Sequence, residues 1–302
     1  MSIKRRDFFK LAAIASTALL PLDIRASEAE SSPDIGDSYG VLVDTIVCVG
    51  CRKCEAACNQ VNNLPHQEKS AFEDKSVLKI HRRPTEAAYT VVNSFRDPAV
   101  PGALYFMKIQ CMHCVDPACA SACIVGALRK SKQGPVTYDS WKCMGCRYCM
   151  VACPFQIPAY EFDNAYTPQV RKCSFCYKRI TEEGKRPACV ENCPNEALTF
   201  DTRRNLIELA HGRIMQSPGK YFDHVYGEHE VGGTSWMYLA GTDFVNSELP
   251  KLNTKPIPEY TEAIQHGVFK SFVPPLALYG LLAMAMHSLK KDDGKGGHHE
   301  QS

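Results

Sequence analysis

Sixteen cysteines, all of them between Cys48 and Cys193, constrain this 302-residue chain more than any other feature. The stretch that holds them is about 11% cysteine, a density otherwise met in short disulfide scaffolds. Such scaffolds use disulfides because they are too small to build a core. A chain of this length can build one, so its cysteines need another explanation. They fall into four groups of four, with none left over. The first is Cys48-x-x-Cys51-x-x-Cys54-x-x-x-Cys58. The second is Cys111-x-x-Cys114, then Cys119-x-x-x-Cys123. The third is Cys143-x-x-Cys146-x-x-Cys149-x-x-x-Cys153, followed by Pro154. The fourth is Cys173-x-x-Cys176, a gap of twelve residues, then Cys189-x-x-x-Cys193 and Pro194. Groups one and three share Cys-x-Gly-Cys-Arg-x-Cys-x-x-Ala-Cys, with Ala57 and Ala152 in matching places. Groups two and four share Pro-Ala-Cys-x-x-x-Cys, at Pro117 and Pro187. This alternation is that of a duplicated two-motif unit.

The spacing has a chemical meaning. Three cysteines two residues apart lie on one tight loop that can wrap a cubane and give thiolates to three irons. The fourth, three residues on and often followed by Pro, starts a helix and ligates the other cluster of a pair. Small neighbours such as Ala57, Ala122 and Ala152 leave room for the cluster. Four motifs therefore predict four [4Fe–4S] clusters, with all sixteen cysteines as iron ligands. Zinc sites draw pairs of Cys-x-x-Cys from separate loops and use fewer thiolates per loop than these groups offer. Disulfides would require eight bridges among closely spaced Cys-x-x-Cys triplets, a poor structural arrangement. His113 stands inside a motif already complete in cysteine, so the sequence predicts a hydrogen bond to a cluster sulfur or a neighbouring peptide for it. No residue stands out as a catalytic acid, base or nucleophile.

The ends of the chain bear on compartment. The formal net charge is +2, which gives no nucleic-acid signal. The excess belongs to the first 26 residues, where Lys4-Arg5-Arg6-Asp7-Phe8-Phe9-Lys10 precedes an apolar run from Leu11 to Leu22. That is the pattern of a secretory leader of the twin-arginine type, with cleavage expected after Ala26. A second apolar run, Phe272–Leu289, ends at Lys290-Lys291. It predicts one C-terminal transmembrane helix over 268–290 and a cytoplasmic tail at 291–302. His287 reads as an interfacial residue and His298-His299 as part of a solvated tail. Between the ends the reading gives a cluster body at 27–200, with an inserted segment at 59–110, and a cysteine-free docking segment at 201–267. Strands are expected around Val77–Ile80, Tyr89–Val92 and Leu104–Ile109, and an amphipathic helix over Thr202–Ile214.

Four stretches carry a resemblance to a known family over nearly the whole chain. They are Gln110–Asp116 (QCMHCVD), Gly145–Pro154 (GCRYCMVACP), His224–Glu228 (HVYGE) and Gly232–Thr234 (GGT). With them the chain resembles the four-cluster iron–sulfur subunits of membrane-bound oxidoreductases. It is most similar to the electron-transfer subunit of the type-2, quinone-reactive [NiFe] hydrogenase. It departs from the family at Asn59 and Ile124, where Pro often follows the fourth cysteine. The resemblance implies an α+β fold of tandem ferredoxin-like domains, each with two [4Fe–4S] clusters. It also implies a crossover of ligands. The sets are Cys48/Cys51/Cys54/Cys193, Cys173/Cys176/Cys189/Cys58, Cys111/Cys114/Cys119/Cys153 and Cys143/Cys146/Cys149/Cys123. Spacing alone leaves open the pairing of motif one with two and three with four, which the repeat pattern favours.

The function implied is a non-catalytic relay. It would carry electrons from the small and large subunits of a [NiFe] hydrogenase to an integral-membrane, quinone-reactive subunit. The chain would stand on the periplasmic face of the inner membrane, exported folded and anchored in the lipid bilayer by its last helix. The same relay serving a molybdopterin enzyme of the formate or sulfur-compound type is the alternative.

Overall fold

In the computed structural model, the strand leading into the first cysteine motif pairs with the strand leaving the fourth. The structure describes residues 35–65, 68–96, 102, 104–261 and 279–287. In chain order the elements are β1 (Tyr39–Asp44), α1 (Lys53–Val61), α2 (Lys69–Glu73), β2 (Thr90–Arg96) and β3 (Leu104–Gln110). Next come α3 (Ala118–Ser121), β4 (Leu128–Lys130), β5 (Val136–Tyr138), α4 (Tyr148–Ala152), β6 (Ala159–Tyr160) and β7 (Val170–Arg171). The last are α5 (Tyr177–Thr181), α6 (Ala188–Glu191), β8 (Leu198–Thr202), α7 (Arg203–Gln216) and β9 (Trp236–Leu239).

The central sheet has the order β8-β1-β9, with β1 antiparallel to β8 and parallel to β9. β1 reads as an apolar run because both of its faces are covered. Val41 and Val43, with Trp236 and Tyr238, pack into the core that holds cysteines of motifs one, two and four. Leu42, Met237 and Leu239 pack on the other face against Leu206 and Ala210 of α7. That helix, expected over 202–214, spans Arg203–Gln216, with the Thr202 hydroxyl accepting from Asn205 N at its N-terminus.

The motifs are nested. α1, which carries Cys54 and Cys58, packs against α6 of motif four. α3 of motif two packs against α4 of motif three. The short hairpins β4–β5 and β6–β7 frame the inner pair. The insert contributes the seven-residue hairpin β2–β3, close to the strands expected at 89–92 and 104–109. The strand expected at Val77–Ile80 is instead a turn of 3-10 helix, Ser76–Lys79. The Asp74 carboxylate accepts from both Ser76 N and Ser76 Oγ at 2.8 Å, and this local bonding outweighs the apolar side chains' preference for extended backbone. The expectation that the fourth cysteine starts a helix is also corrected. In motifs one and three the helix opens just before the third cysteine, and Cys153 caps the end of its helix.

The leader at 1–26 lies outside the described residues, as does most of the expected span at 268–290. Residues 279–287 are helical and exposed. Among the described residues no helix is long and apolar enough to cross a membrane.

Candidate metal centres

Each Cys-x-x-Cys turns on a residue in the left-handed region: Gly50 at φ 64°, His113 at 48°, Gly145 at 73° and Phe175 at 56°. Left-handed residues in such turns bring successive backbone N–H groups to one side, where they face anionic sulfur. Phe175 N donates to Cys173 Sγ at 3.3 Å, and Ala127 N to Cys123 Sγ at 3.2 Å. Asn62 Nδ2 reaches Cys58 Sγ at 3.5 Å. Gly50 has a second reason to be glycine, since a Cβ there would stand 2.4 Å from the Phe106 ring. Arg52 and Arg147, both at φ 61°, repeat a left-handed step at the starts of α1 and α4, as the shared Cys-Arg in the two motifs suggests.

All sixteen cysteines are unbridged. The nesting sets motif one beside motif four and motif two beside motif three. Cys48, Cys51 and Cys54 line one cavity with Cys193 of motif four, among Val43, Val92 and Leu198. Cys173, Cys189 and Cys176 are among the thiols whose charge bears on Cys58. Cys111, Cys153 and Cys119 bear on Cys114, and Cys143, Cys146 and Cys123 on Cys149. Between groups, Cys189 bears on Cys54, Cys111 on Cys173, and Cys149 on Cys119.

This donor set fits [4Fe–4S] clusters. Around a single tetrahedral ion at a Zn–S distance near 2.3 Å, thiolates would converge to about 3.8 Å from one another. Among the described residues no three Cys, His, Asp or Glu groups converge so as to hold a single ion. The thiols are also unsuited to stand alone as thiolates. Burial pushes Cys48 and Cys149 up to about 11, and Cys119 and Cys173 up to about 12. Burial also holds Cys54, Cys58 and Cys114 well above the usual thiol value. Positive charge from a metal would displace those protons. Exposure differs between the groups. Cys146 is exposed and is surrounded in sequence by exposed Trp141, Met144, Tyr148 and Val151.

Further residues support the motifs, and of these Lys130, Lys172 and Glu55 carried no signal in the sequence. His113 is fully buried. Its Nδ1 accepts from Val136 N at 2.9 Å, so the ring proton sits on Nε2. Its bond to a peptide is one of the two expected. Burial and the charges of Lys172 and Lys130 hold its pKa well below the ordinary histidine value. Lys130 Nζ donates to the carbonyls of His113 (3.2 Å) and Cys114 (2.7 Å), and Lys172 Nζ to those of Val136 (2.6 Å) and Cys173 (3.1 Å). Glu55 anchors motif one through Arg52 (2.9 Å), Arg82 (2.7 Å) and Val92 N (2.6 Å). The cysteine-free segment locks motif two in place. Val115 N donates to Gly233 O at 2.9 Å, and Ser235 N donates to Met112 O at 3.1 Å. Arg203 Nε donates to Thr234 O at 3.0 Å, and its guanidinium also donates to the carbonyls of Gly227 and Glu228. This explains why HVYGE and GGT accompany the cysteines.

Comparison with known proteins agrees. A family described as the 4Fe-4S dicluster domain matches residues 103–203, which contain motifs two, three and four. A protein of Nitratidesulfovibrio vulgaris is 49% identical over 261 residues, covering 85% of this chain and 70% of that protein. Hydrogenase-2 operon protein HybA of Escherichia coli O157:H7 is 35% identical over 331 residues, covering 99% of this chain and 100% of its own length. The iron-sulfur subunit of the nitrate-inducible formate dehydrogenase of Escherichia coli (strain K12) is 30% identical, with 99% of this chain and 100% of the relative covered. With full-length identity to HybA on one side and thiols gathered around turns suited to clusters on the other, the chain belongs to the family of HybA-like iron–sulfur electron-transfer subunits, whose cofactors are [4Fe–4S] clusters.

Proposed function

We propose that this subunit relays electrons between a [NiFe] hydrogenase catalytic pair and a quinone-reactive membrane subunit, through four [4Fe–4S] clusters held by all sixteen cysteines. The ligand sets are those the resemblance implies, with motif one exchanging its fourth cysteine with motif four and motif two with motif three. The observation that carries the reading is the cavity lined by Cys48, Cys51, Cys54 and Cys193, three thiols of the first motif with one from the fourth. The nested packing of α1 on α6 and of α3 on α4 supports the same exchange.

Each cluster, when bound, takes up and gives back one electron. The chain's own residues do the rest. Buried Val43, Val92 and Leu198 keep water from the first group, and the left-handed turns aim N–H groups at sulfur. The electrostatic closeness of Cys54 to Cys189, Cys173 to Cys111 and Cys119 to Cys149 supports a linear order: motif-one set, motif-four set, motif-two set, motif-three set. The motif-one and motif-three sets are then the ends of the relay.

Export by the twin-arginine route, a single C-terminal span and a periplasmic position on the inner membrane complete the proposal. The sequence at 4–25 and 272–291 supports them. The molybdopterin alternative draws on the formate dehydrogenase relative, and on an anaerobic dimethyl sulfoxide reductase chain of Escherichia coli (strain K12) that is 39% identical over 165 residues. Identity to the hydrogenase-2 protein, at 35% over the full chain, favours the first reading.

Anaerobic purification of the membrane complex separates the two. Nickel with hydrogen-dependent dye reduction supports the hydrogenase assignment, and molybdenum without either contradicts it. Iron and acid-labile sulfide near ~16 each per chain are expected for four cubane clusters. About four zinc with no sulfide would overturn the cofactor assignment.

A further inference from the structure

A lysine is out of place in the middle of a core strand. Lys108 lies in β3 between Met107 and Ile109, and only 2% of it is exposed. Burying an ammonium carries a large desolvation cost unless negative charge compensates it. Its hydrogen-bond and ring partners do not supply that charge. Nζ donates to Gln110 Oε1 at 3.0 Å and stands 4.4 Å from the centre of the Trp236 ring. Gln110 Nε2 donates to the Tyr238 hydroxyl at 2.7 Å, and that hydroxyl donates to the carbonyl of Lys108 at 2.8 Å. The ammonium is therefore held in one place.

Thiols of two motifs face that place. Lys108 forms part of the wall of the cavity lined by Cys48, Cys51, Cys54 and Cys193. Cys58, Cys173 and Cys189 share the buried core of its strand neighbours Met107 and Ile109, and as iron-bound thiolates Cys189, Cys54, Cys173 and Cys58, drawn from motifs one and four, would set negative charge against it. Lys130 and Lys172 differ, since each is spent on backbone carbonyls.

We propose that Lys108 is a fixed positive charge that raises the reduction potentials of the two clusters held between motifs one and four. The inference rests on the ligand grouping proposed above. Reduction adds one electron, and so one negative charge, to a cluster and its four thiolates. A cation that stays in place favours that reduced form. Burial leaves its field little screened by salt. Net charge near a cluster is one of the recognised determinants of its potential.

The test is a potentiometric titration, followed by electron paramagnetic resonance, of the intact membrane complex carrying Lys108→Gln, Lys108→Arg or Gln110→Glu. Lys108→Gln is expected to retain all clusters and to lower two of the four midpoint potentials. The expected size is at least a tenfold change in each reduction equilibrium, equivalent to 59 mV for one electron. Gln110→Glu, which sets a carboxylate against the ammonium, lowers the same two, while Lys108→Arg leaves them near wild type. The affected signals are those that Cys54→Ser and Cys58→Ser alter. Four loaded clusters with unmoved potentials in Lys108→Gln and Gln110→Glu overturn the inference and leave the ligand grouping standing. A shift confined to the other two clusters also overturns it. If Lys108→Gln fails to load, the arginine variant decides. Full loading at wild-type potentials supports the charge, and loss of clusters there too overturns it, because packing would then be what the position supplies. If Cys58→Ser and Cys189→Ser alter different signals, the grouping itself fails and the inference falls with it.

Discussion

Glu55 sits between Cys54 and Ala56 with nothing in the sequence to mark it, yet motif one depends on it. It is buried, pairs with the guanidinium of Arg52, itself 4% exposed, and holds Arg82 and the backbone of β2 as well. Removing one partner of a buried pair leaves an uncompensated charge, which costs about 3–5 kcal/mol. Glu55→Ala is therefore expected to destabilise the subunit by that order, read as faster loss of iron from the anaerobic complex on warming. Glycines give a second comparison at this scale. A non-glycine residue in the left-handed region costs about 1–2 kcal/mol, and this applies to both Gly50→Ala and Gly145→Ala. At Gly50 the new Cβ would also meet the Phe106 ring at 2.4 Å. At Gly145 the nearest atom is the Tyr160 hydroxyl at 3.1 Å, the far end of a side chain. Cluster content is expected to fall in Gly50→Ala and to stay near wild type in Gly145→Ala; equal losses would contradict this. The sixteen cysteines were legible because their chemistry fixes their spacing. Glu55, Lys108, Lys130 and Lys172 were not, because a buried charge looks the same in sequence as a surface one and is explained only by what folds against it.

At the scale of elements, α7 and β8 show what pattern can and cannot give. α7 was legible from its apolar spacing, while its Thr202 cap came from the structure. Its role follows from where it lies. Leu206 and Ala210 cover the face of the central sheet turned away from the cysteines. Leu206→Ala removes a fully buried side chain, so about 2–5 kcal/mol of stability is expected to be lost. The cluster potentials should not change, because the sheet stands between. Thermal unfolding together with a redox titration checks both halves, and a shifted midpoint potential would contradict the second. β8 was not legible as the partner of β1, since the register Val41 to Phe200 joins residues 159 apart. That pairing is what closes motif four onto motif one. Repeat pattern pointed instead to neighbours in sequence, because it records how motifs resemble one another and not which of them pack. The turn at Ser76–Lys79 failed for the opposite reason, a local Asp74–Ser76 bond prevailing over a short apolar run.

Across the whole molecule, burial is deepest inside the proposed relay and least at its motif-three end. The motif-four set has Cys58, Cys173 and Cys189 buried, whereas the motif-three set has Cys146 exposed among exposed Trp141, Met144, Tyr148 and Val151. Solvent and oxidant reach that set first. On controlled exposure of the complex to air, about a quarter of the iron is expected to leave in an early phase as one of the four clusters is lost. Cys146 should become alkylatable in that phase, before any thiol of motif four. Simultaneous release of all the iron would contradict this ordering. The central claim is that the fold holds four clusters by exchanging ligands between nested motifs. Its most direct test is paramagnetic spectroscopy of the Cys58→Ser complex. The account predicts that this substitution alters the same cluster signal as Cys189→Ser and leaves the signal altered by Cys51→Ser in place. A Cys58→Ser effect that coincides with that of Cys114→Ser would contradict it.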